Sequence, residues 1–315
     1  MSGNTLVSVN NLSRYYGEHI AVNRISFELA AGDILGFLGP NGAGKSTTMQ
    51  MLSGNLAPSA GEIIINGIDL LEQPKAAKQS LGYLPDVPPL YKEMTVEEYL
   101  HFCAKIHRLK KTAGKHCVRQ AIDACGLGTV KQRLIGNLSK GYQQRTGIAQ
   151  AILHSPPVII LDEPTVGLDP IQVIEIRKLI KQLGQSHGII LCSHILPEVQ
   201  AVCNRVQIIH QGSLVYNADM QSLIQQQDSG WFDVSLKHAP DIETLLAWPE
   251  LTALEKTGAC NYLLQSPLAA EILCKKLVQQ AWGLASFCPH RQTLEQKFIE
   301  LTLNPEVSLT PDALD

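Results

Sequence analysis

Nine consecutive residues hold the densest chemistry in the chain: Gly39, Pro40, Asn41, Gly42, Ala43, Gly44, Lys45, Ser46 and Thr47. Glycines let the backbone turn tightly and leave no Cβ between its N–H groups and an anion. Successive N–H groups pointing inward make an anion-binding concavity. The spacing G-x-x-x-x-G-K-[ST] suits the phosphates of a nucleoside triphosphate. Lys45 can reach the β- and γ-phosphates, and the Ser46 hydroxyl can ligate Mg²⁺. A short helix is predicted from Ser46 to Ser53, closed by Gly54. Its N-terminus adds partial positive charge at the phosphates.

Two further groups complete such a site. Val158 to Leu161 are four apolar β-formers followed by Asp162 and Glu163. That is a buried strand with acids at its C-terminal end, where open α/β sheets place their ligands. Asp162 suits Mg²⁺ ligation and Glu163 suits a general base or water-orienting group. Two acids at a strand end are common on surfaces, but here a phosphate loop is present to need them. Ile189 to Cys192 is another apolar strand, ending in Ser193 and His194. A lone histidine is more often a satisfied core residue. At this strand end it can instead bond a γ-phosphate.

The elements that must position these groups follow from the pattern. Ile34 to Leu38 is the buried strand that feeds the phosphate loop. Leu6 to Val9 and Ile20 to Leu29 read as strands, with Arg14-Tyr15-Tyr16-Gly17 between them. An aromatic there can stack on an adenine ring, although a tyrosine packed in an ordinary turn is the simpler account of those residues alone. Glu62 to Ile65 and Leu81 to Leu84 are strands, the second running into Pro85 and Asp86. Thr95 and Glu98 form a capping box that opens helical sequence to about Leu109, and again from about Ala113 to Cys125. Ser139 stands where the N-cap of a further helix belongs. Gly167-Leu168-Asp169-Pro170 makes a turn before a helix from Ile171 to Leu183, and Val206 to Tyr216 reads as a terminal hairpin.

Bulk composition bounds the alternatives. At 315 residues the chain is long enough for two domains, and 45% hydrophobic with 17% charged residues is globular. No run of 18 apolar residues and no signal sequence opens a membrane or secretory reading. Residues 1–215 hold 20 Lys+Arg against 16 Asp+Glu, whereas residues 216–315 hold 6 against 13. An acidic C-terminal part argues against nucleic-acid binding through those residues. The cluster Lys105, Arg108, Lys110, Lys111, Lys115 and Arg119 reads as a solvated helix face. The eight cysteines show no CxxC pair and no metal spacing, so reduced structural thiols in the cytosol are expected.

Taken together and in this order, the motifs resemble the ATP-binding cassette (ABC) family of transporter ATPases, over roughly residues 5–225. Gly39 to Thr47 resembles its Walker A motif, Val158 to Glu163 its Walker B with the catalytic glutamate, and Leu138 to Tyr142 its signature. Gly167 to Asp169 resembles the D-loop, His194 the switch histidine and Tyr16 the adenine-stacking aromatic. The resemblance implies an α/β P-loop NTPase cassette, with an antiparallel β subdomain and a helical subdomain at about 87–155. It implies ATP and Mg²⁺ as cofactors, with Ser46, Asp86 and Asp162 at the metal. It implies that two cassettes pair head to tail, so that Ser139 and Gly141 of one subunit meet the γ-phosphate held by the other. One chain carries one cassette, so a second copy or a paralogous partner is needed.

Two departures stand out. Lys140 and Tyr142 replace the common Gly and Gln of the signature, and Asp86 occupies the Q-loop position where Gln is usual. A carboxylate there can ligate Mg²⁺ but cannot donate as an amide does. With Gly82-Tyr83-Leu84-Pro85 before it and Pro88-Pro89-Leu90-Tyr91 after it, this stretch resembles the branch serving ABC-2-type permeases. The expected role is therefore a cytoplasmic ATPase, peripheral on the inner membrane face, powering a separate export permease. A soluble cassette acting on ribosomes or nucleic acid is the rival. Such proteins carry two cassettes or long coiled-coil inserts, and neither occurs here.

Residues 226–315 are expected to form a separate domain. Strands at Trp231–Leu236, Leu251–Glu255, Tyr262–Gln265 and Leu284–Phe287, with helices at Asp241–Ala247 and Ala269–Ala281, give the order β-α-β-β-α-β of a ferredoxin-like α+β sandwich. A last helix capped at Thr293 follows. No motif there carries chemistry, so a packing or dimer-stabilising appendage is the expectation.

Overall fold

β-branched and large apolar runs become the buried strands that carry the motifs. In the computed structural model the described residues are 5–220, 230–238, 240–280, 282–290 and Phe298. Residues 5–220 belong to one compact unit and the described residues from 230 to 290 to another.

The first unit begins with a long antiparallel pair, β1 (Thr5–Tyr16) and β2 (His19–Ala30). Strand β1 therefore reaches Tyr16, farther than the apolar run Leu6–Val9 alone suggests. Hydroxyls at Ser26 and Ser59 take up Asn11 and Tyr15 amides where its register shifts. β3 (Ile34–Leu38) is buried at every residue and leads through the phosphate loop into α1 (Lys45–Leu52). β4 (Ala60–Ile65) and β5 (Ile68–Asp69) return to the first sheet, in the order β2-β1-β4-β5. Then come α2 (Pro74–Gln79), opened by a proline where a helix tolerates one, and β6 (Leu81–Leu84).

Three helices follow: α3 (Val96–Ile106), α4 (Lys111–Ala124) and α5 (Lys140–Ile152). The capping box of α3 is formed: the Glu98 N–H donates to Thr95 Oγ1 (3.2 Å), and the Thr95 N–H donates to Glu98 Oε2 (2.9 Å). The basic cluster along α3 and α4 is exposed, as expected of a solvated face. The chain re-enters the core with β7 (Val158–Asp162), α6 (Pro170–Leu183), β8 (Gly188–Ser193), α7 (Leu196–Val202), β9 (Arg205–His210) and β10 (Ser213–Asp219).

The second sheet runs β10-β9-β3-β8-β7-β6, parallel except at β10. Helical crossovers cover such a sheet on both faces, which is why β3, β7 and β8 are uninterrupted apolar runs. Its register decides the site. Leu38 pairs with Ser193, and Asp162 pairs with Cys192, so three motif-bearing strands end together.

The second unit comprises β11 (Trp231–Leu236), α8 (Ile242–Leu246), β12 (Ala253–Lys256), β13 (Asn261–Gln265), α9 (Ala270–Gln279) and β14 (Leu284–Pro289). Its antiparallel sheet is ordered β12-β13-β11-β14, around Phe232, Val234, Leu245, Tyr262, Leu264, Leu273 and Leu277. Strand β12 starts two residues later than its apolar content suggests, because the Leu251 N–H is used in the turn after α8, donating to the Trp248 carbonyl (3.1 Å). The helix expected at Thr293 lies outside the described residues.

Candidate functional site

The phosphate loop takes its shape from close backbone approaches. Gly42 and Gly44 have φ of +79° and +107°, the left-handed region that side chains disfavour. A Cβ on Gly44 would fall 2.5 Å from the Ala21 carbonyl oxygen, and one on Gly39 would fall 2.4 Å from that of Ile209. Lys45 is buried, and its ammonium donates to the Gly39 (2.8 Å) and Pro40 (3.2 Å) carbonyls. The cation is thus drawn back into the loop that it serves.

The acids sit where the register of β7 and β8 predicts. Asp162 is 3% exposed, and its Oδ1 is buried with no hydrogen-bond partner. Burial pushes its carboxyl above the usual range, and the nearby carboxylates of Glu163 and Asp86 add to this. The Cys192 thiol, by hydrogen bonding, and the Lys45 charge act the other way. Glu163 has φ +49°, an uncommon conformation for a non-glycine residue and one that concentrates at functional sites. Its N–H donates to the Cys192 carbonyl (2.9 Å), which holds the turn. Its Oε1 lies 2.9 Å from His194 Nδ1. A carboxylate only accepts, so Nδ1 carries the hydrogen. Glu163 Oε2 is buried without a partner. Two buried carboxylate oxygens lacking donors suit a divalent cation and a water.

A cleft of about 510 Å³ gathers most of these groups; Asp162 is buried and is not among its lining residues. Tyr16, Asn41, Gly42, Gly44, Lys45, Ser46 and Thr47 line it from the first half of the chain. Asp86, Glu163 and His194 line it from farther along the chain. Tyr16 is 47% exposed, and its ring is covered at 4.7 Å by the Arg14 guanidinium. Gly39, Pro40 and Ala43 shape the loop behind the lining residues.

Ser139, Gly141 and Asp169 are not among the lining residues. Ser139 is the N-cap residue of α5 as expected, though its hydroxyl makes no capping bond. The Gln143 amide folds back and donates to the Ile135 (3.2 Å) and Leu138 (3.0 Å) carbonyls that precede the helix. Asp169 caps α6, accepting from the Ile171 and Gln172 N–H groups (3.0 Å each). Gly141 is packed so closely on α6 that a Cβ would meet Gln172 at 2.5 Å.

Sequence reasoning did not single out His19, Ala21 or Val166, which also line the cleft. His19 and Ala21 come from β2, whose contribution follows from the hairpin with β1 that carries Tyr16. A search for an aromatic at this hairpin could have looked across the ladder, where Tyr16 pairs with His19.

Known proteins agree with this geometry. The family described as "ABC transporter" matches residues 22–166. The chain is 35% identical over 302 residues to the ABC transporter ATP-binding protein YxlF of Bacillus subtilis, covering 94% of this chain and 99% of that protein. It is 39% identical over 213 residues to the bacitracin transport ATP-binding protein BcrA of Bacillus licheniformis, covering 67% of this chain and 69% of that one. A solved structure described as the ATP-binding subunit of an ABC transporter superposes with a TM-score of 0.63 at 30% identity, over 70% of this chain and 92% of that chain. Full-length similarity to one such protein and a cleft formed at the ends of β3, β7 and β8 lead to one conclusion: the chain belongs to the ABC transporter ATP-binding proteins and is an ATP-binding ATPase subunit.

Proposed function

We propose that this chain hydrolyses Mg·ATP to power a separate ABC-2-type export permease. The observation that carries the reading is the single cleft in which Lys45, Glu163 and His194 meet beside a buried, donor-free Asp162 oxygen. Ser46, Asp86 and Asp162 would hold Mg²⁺, and Lys45 with the loop amides would hold the phosphates. When bound, Mg²⁺ neutralises charge that develops on the transferred phosphoryl group. Glu163 accepts the proton of an attacking water and is itself oriented by the His194 N–H. Tyr16 offers a ring face to adenine.

Ser139 and Gly141 lie away from the chain's own cleft, in keeping with a role at the nucleotide of a second copy or a paralogous cassette. Asp169 anchors the helix beside them. Residues 1–225 form the working cassette in this reading, with its helical part at about 87–155, and residues 226–315 form a packing or dimer-stabilising appendage. Among the described residues no helix is long and apolar enough to cross a membrane. In this reading the subunit sits on the inner face through its permease and takes no nucleic acid.

The export assignment draws support from the printed names of relatives such as the bacitracin transport protein and the linearmycin resistance ATP-binding protein LnrL of Bacillus subtilis, 36% identical over 211 residues. Affinity purification of the tagged chain from detergent-solubilised membranes tests the reading. An integral membrane protein should co-purify in stoichiometric amount; recovery with ribosomes and without a membrane protein would overturn it.

A further inference from the structure

Outside the lining of the cleft, one buried charge joins the two loops that carry its chemistry. Glu198 lies on α7 and is 3% exposed. A carboxylate removed from water is costly unless it is hydrogen-bonded. Burial pushes its pKa up, the Ser193 hydrogen bond and the charge of Arg177 on α6 oppose this, and Glu163 and His194 are the other charged groups acting on it.

Its two oxygens are used separately. Oε2 accepts from the Ser193 hydroxyl (2.9 Å), and Oε1 accepts from the Thr165 hydroxyl. Ser193 Oγ in turn accepts the Ile195 N–H (3.0 Å). Ser193 and Ile195 flank His194, and Thr165 lies two residues beyond Glu163. The β7–β8 pairing ends with Asp162 opposite Cys192 and the Glu163 N–H bonded to the Cys192 carbonyl, and Ser193 pairs with Leu38 on β3, so the side-chain bond between Glu163 and His194 is made just beyond the sheet.

We propose that Glu198 is a positioning residue for ATP hydrolysis, one that holds the Glu163 and His194 loops in register. It touches neither the cleft nor any reacting atom. It acts by tying Thr165, in the loop after β7, to Ser193, whose backbone β3 already holds, and so sets the distance between Glu163 and His194. The inference rests on the roles given to those two residues above.

The test is steady-state hydrolysis and equilibrium ATP binding by the full chain. Glu198→Ala should lower kcat by roughly 10- to 100-fold, the effect of misplacing a catalytic group by about an ångström. ATP affinity should stay within about threefold, because an interaction felt only in the transition state leaves ground-state binding alone. Glu198→Gln keeps an acceptor for Ser193 and offers an N–H to the Thr165 oxygen, so it should recover much of the lost rate. Combined with His194→Ala, Glu198→Ala should add little to the loss caused by His194→Ala, since the two act as one unit.

Thr165→Val and Ser193→Ala remove the two arms singly, and they supply the same readout should Glu198→Ala fail to fold. A Glu198→Ala enzyme with wild-type kcat, a loss confined to KM, or losses that multiply fully in the double variant would each overturn the inference. Glu163→Gln is the control. If it leaves hydrolysis intact, the reading of the cleft fails; if it abolishes hydrolysis while Glu198→Ala does not, only the positioning role fails.

Discussion

In the first unit β3, β7 and β8 are buried at every residue, whereas in the second β11 alternates between core and surface. Alternation is the ordinary pattern of a sheet with one covered face, and it leaves little reason for charge to enter the core. Among the described residues of the second unit, Asp233 is paired with His290 and Glu250 with Lys276, although Glu250 Oε2 is buried without a partner. The first unit instead runs its apolar strands straight into buried acids. Asp162 and Glu163 keep oxygens without donors, and Glu163 adopts a backbone conformation that costs of order 1–3 kcal/mol. All seven non-glycine residues with positive φ among the described residues fall in the first unit. The comparison teaches where this chain spends stability: at the strand ends of one unit, for a site that a cation and a nucleotide complete.

The change expected to have the largest effect breaks that site while sparing its shape. Glu163→Gln retains a hydrogen-bonding oxygen but loses basicity. Hydrolysis should fall by roughly 10²- to 10⁴-fold, the usual contribution of a general base, with ATP binding retained. Unhydrolysed ATP should then hold two chains together through Ser139 and Gly141. Light scattering behind size exclusion should show a monomer without nucleotide and a dimer with Mg·ATP. Wild-type hydrolysis would remove Glu163 from its role, and a nucleotide-bound monomer would point to a paralogous partner.

The second unit should respond to a different kind of damage. Leu264 is fully buried on β13, in a cluster with Phe232, Val234 and Leu273. Leu264→Ala should cost about 2–5 kcal/mol through lost transfer energy and a cavity. Calorimetry should show the loss in the second unit's transition, with ATP affinity unchanged. A matching fall in ATP affinity would mean that the contrast drawn between the units is wrong.

These two variants also mark what the sequence could and could not disclose. Lys45, Asp162, Glu163 and His194 were legible because each sits within a few residues of a strand end, and local pattern locates strand ends well. The four strands and two helices among the described residues of the second unit were legible from alternation and helical spacing. Glu198 was not. Its partners Thr165 and Ser193 are 33 and 5 residues away, and a glutamate in the first turn of a short helix reads as a solvated residue favoured by the helix dipole.

A smaller effect sharpens the chemistry inside the cleft. Asp86 lines it and contributes to raising the Asp162 carboxyl. Removing that charge should ease the repulsion but also remove a candidate Mg²⁺ ligand. Asp86→Ala should therefore weaken transport-coupled hydrolysis by about tenfold and nucleotide binding by less, and Asp86→Gln should retain substantial activity. Wild-type behaviour of Asp86→Ala in a reconstituted complex would remove Asp86 from the metal site.

The smallest effect lies away from the cleft and asks whether the first unit tolerates buried polar groups elsewhere. His107 and His154 stack with ring centroids 4.1 Å apart. His154 Nε2 lies 3.2 Å from the Leu81 carbonyl, so it carries the hydrogen, and Nδ1 is buried without a partner. Burial, with the neighbouring His107 adding to it, pulls the His154 pKa from 6.5 down to about 4, and burial lowers His107 as well. In the unfolded chain the ring titrates near its ordinary value. Between that value and about 4 the unfolded state binds a proton that the folded state refuses, so stability falls as pH drops through this window and is unaffected above it. His154→Gln keeps a donor for the Leu81 carbonyl and cannot titrate. The wild-type Tm should therefore decline between about pH 7 and about pH 5 more steeply than that of His154→Gln. Parallel Tm curves would show that His154 titrates in the folded protein as it does in the unfolded chain.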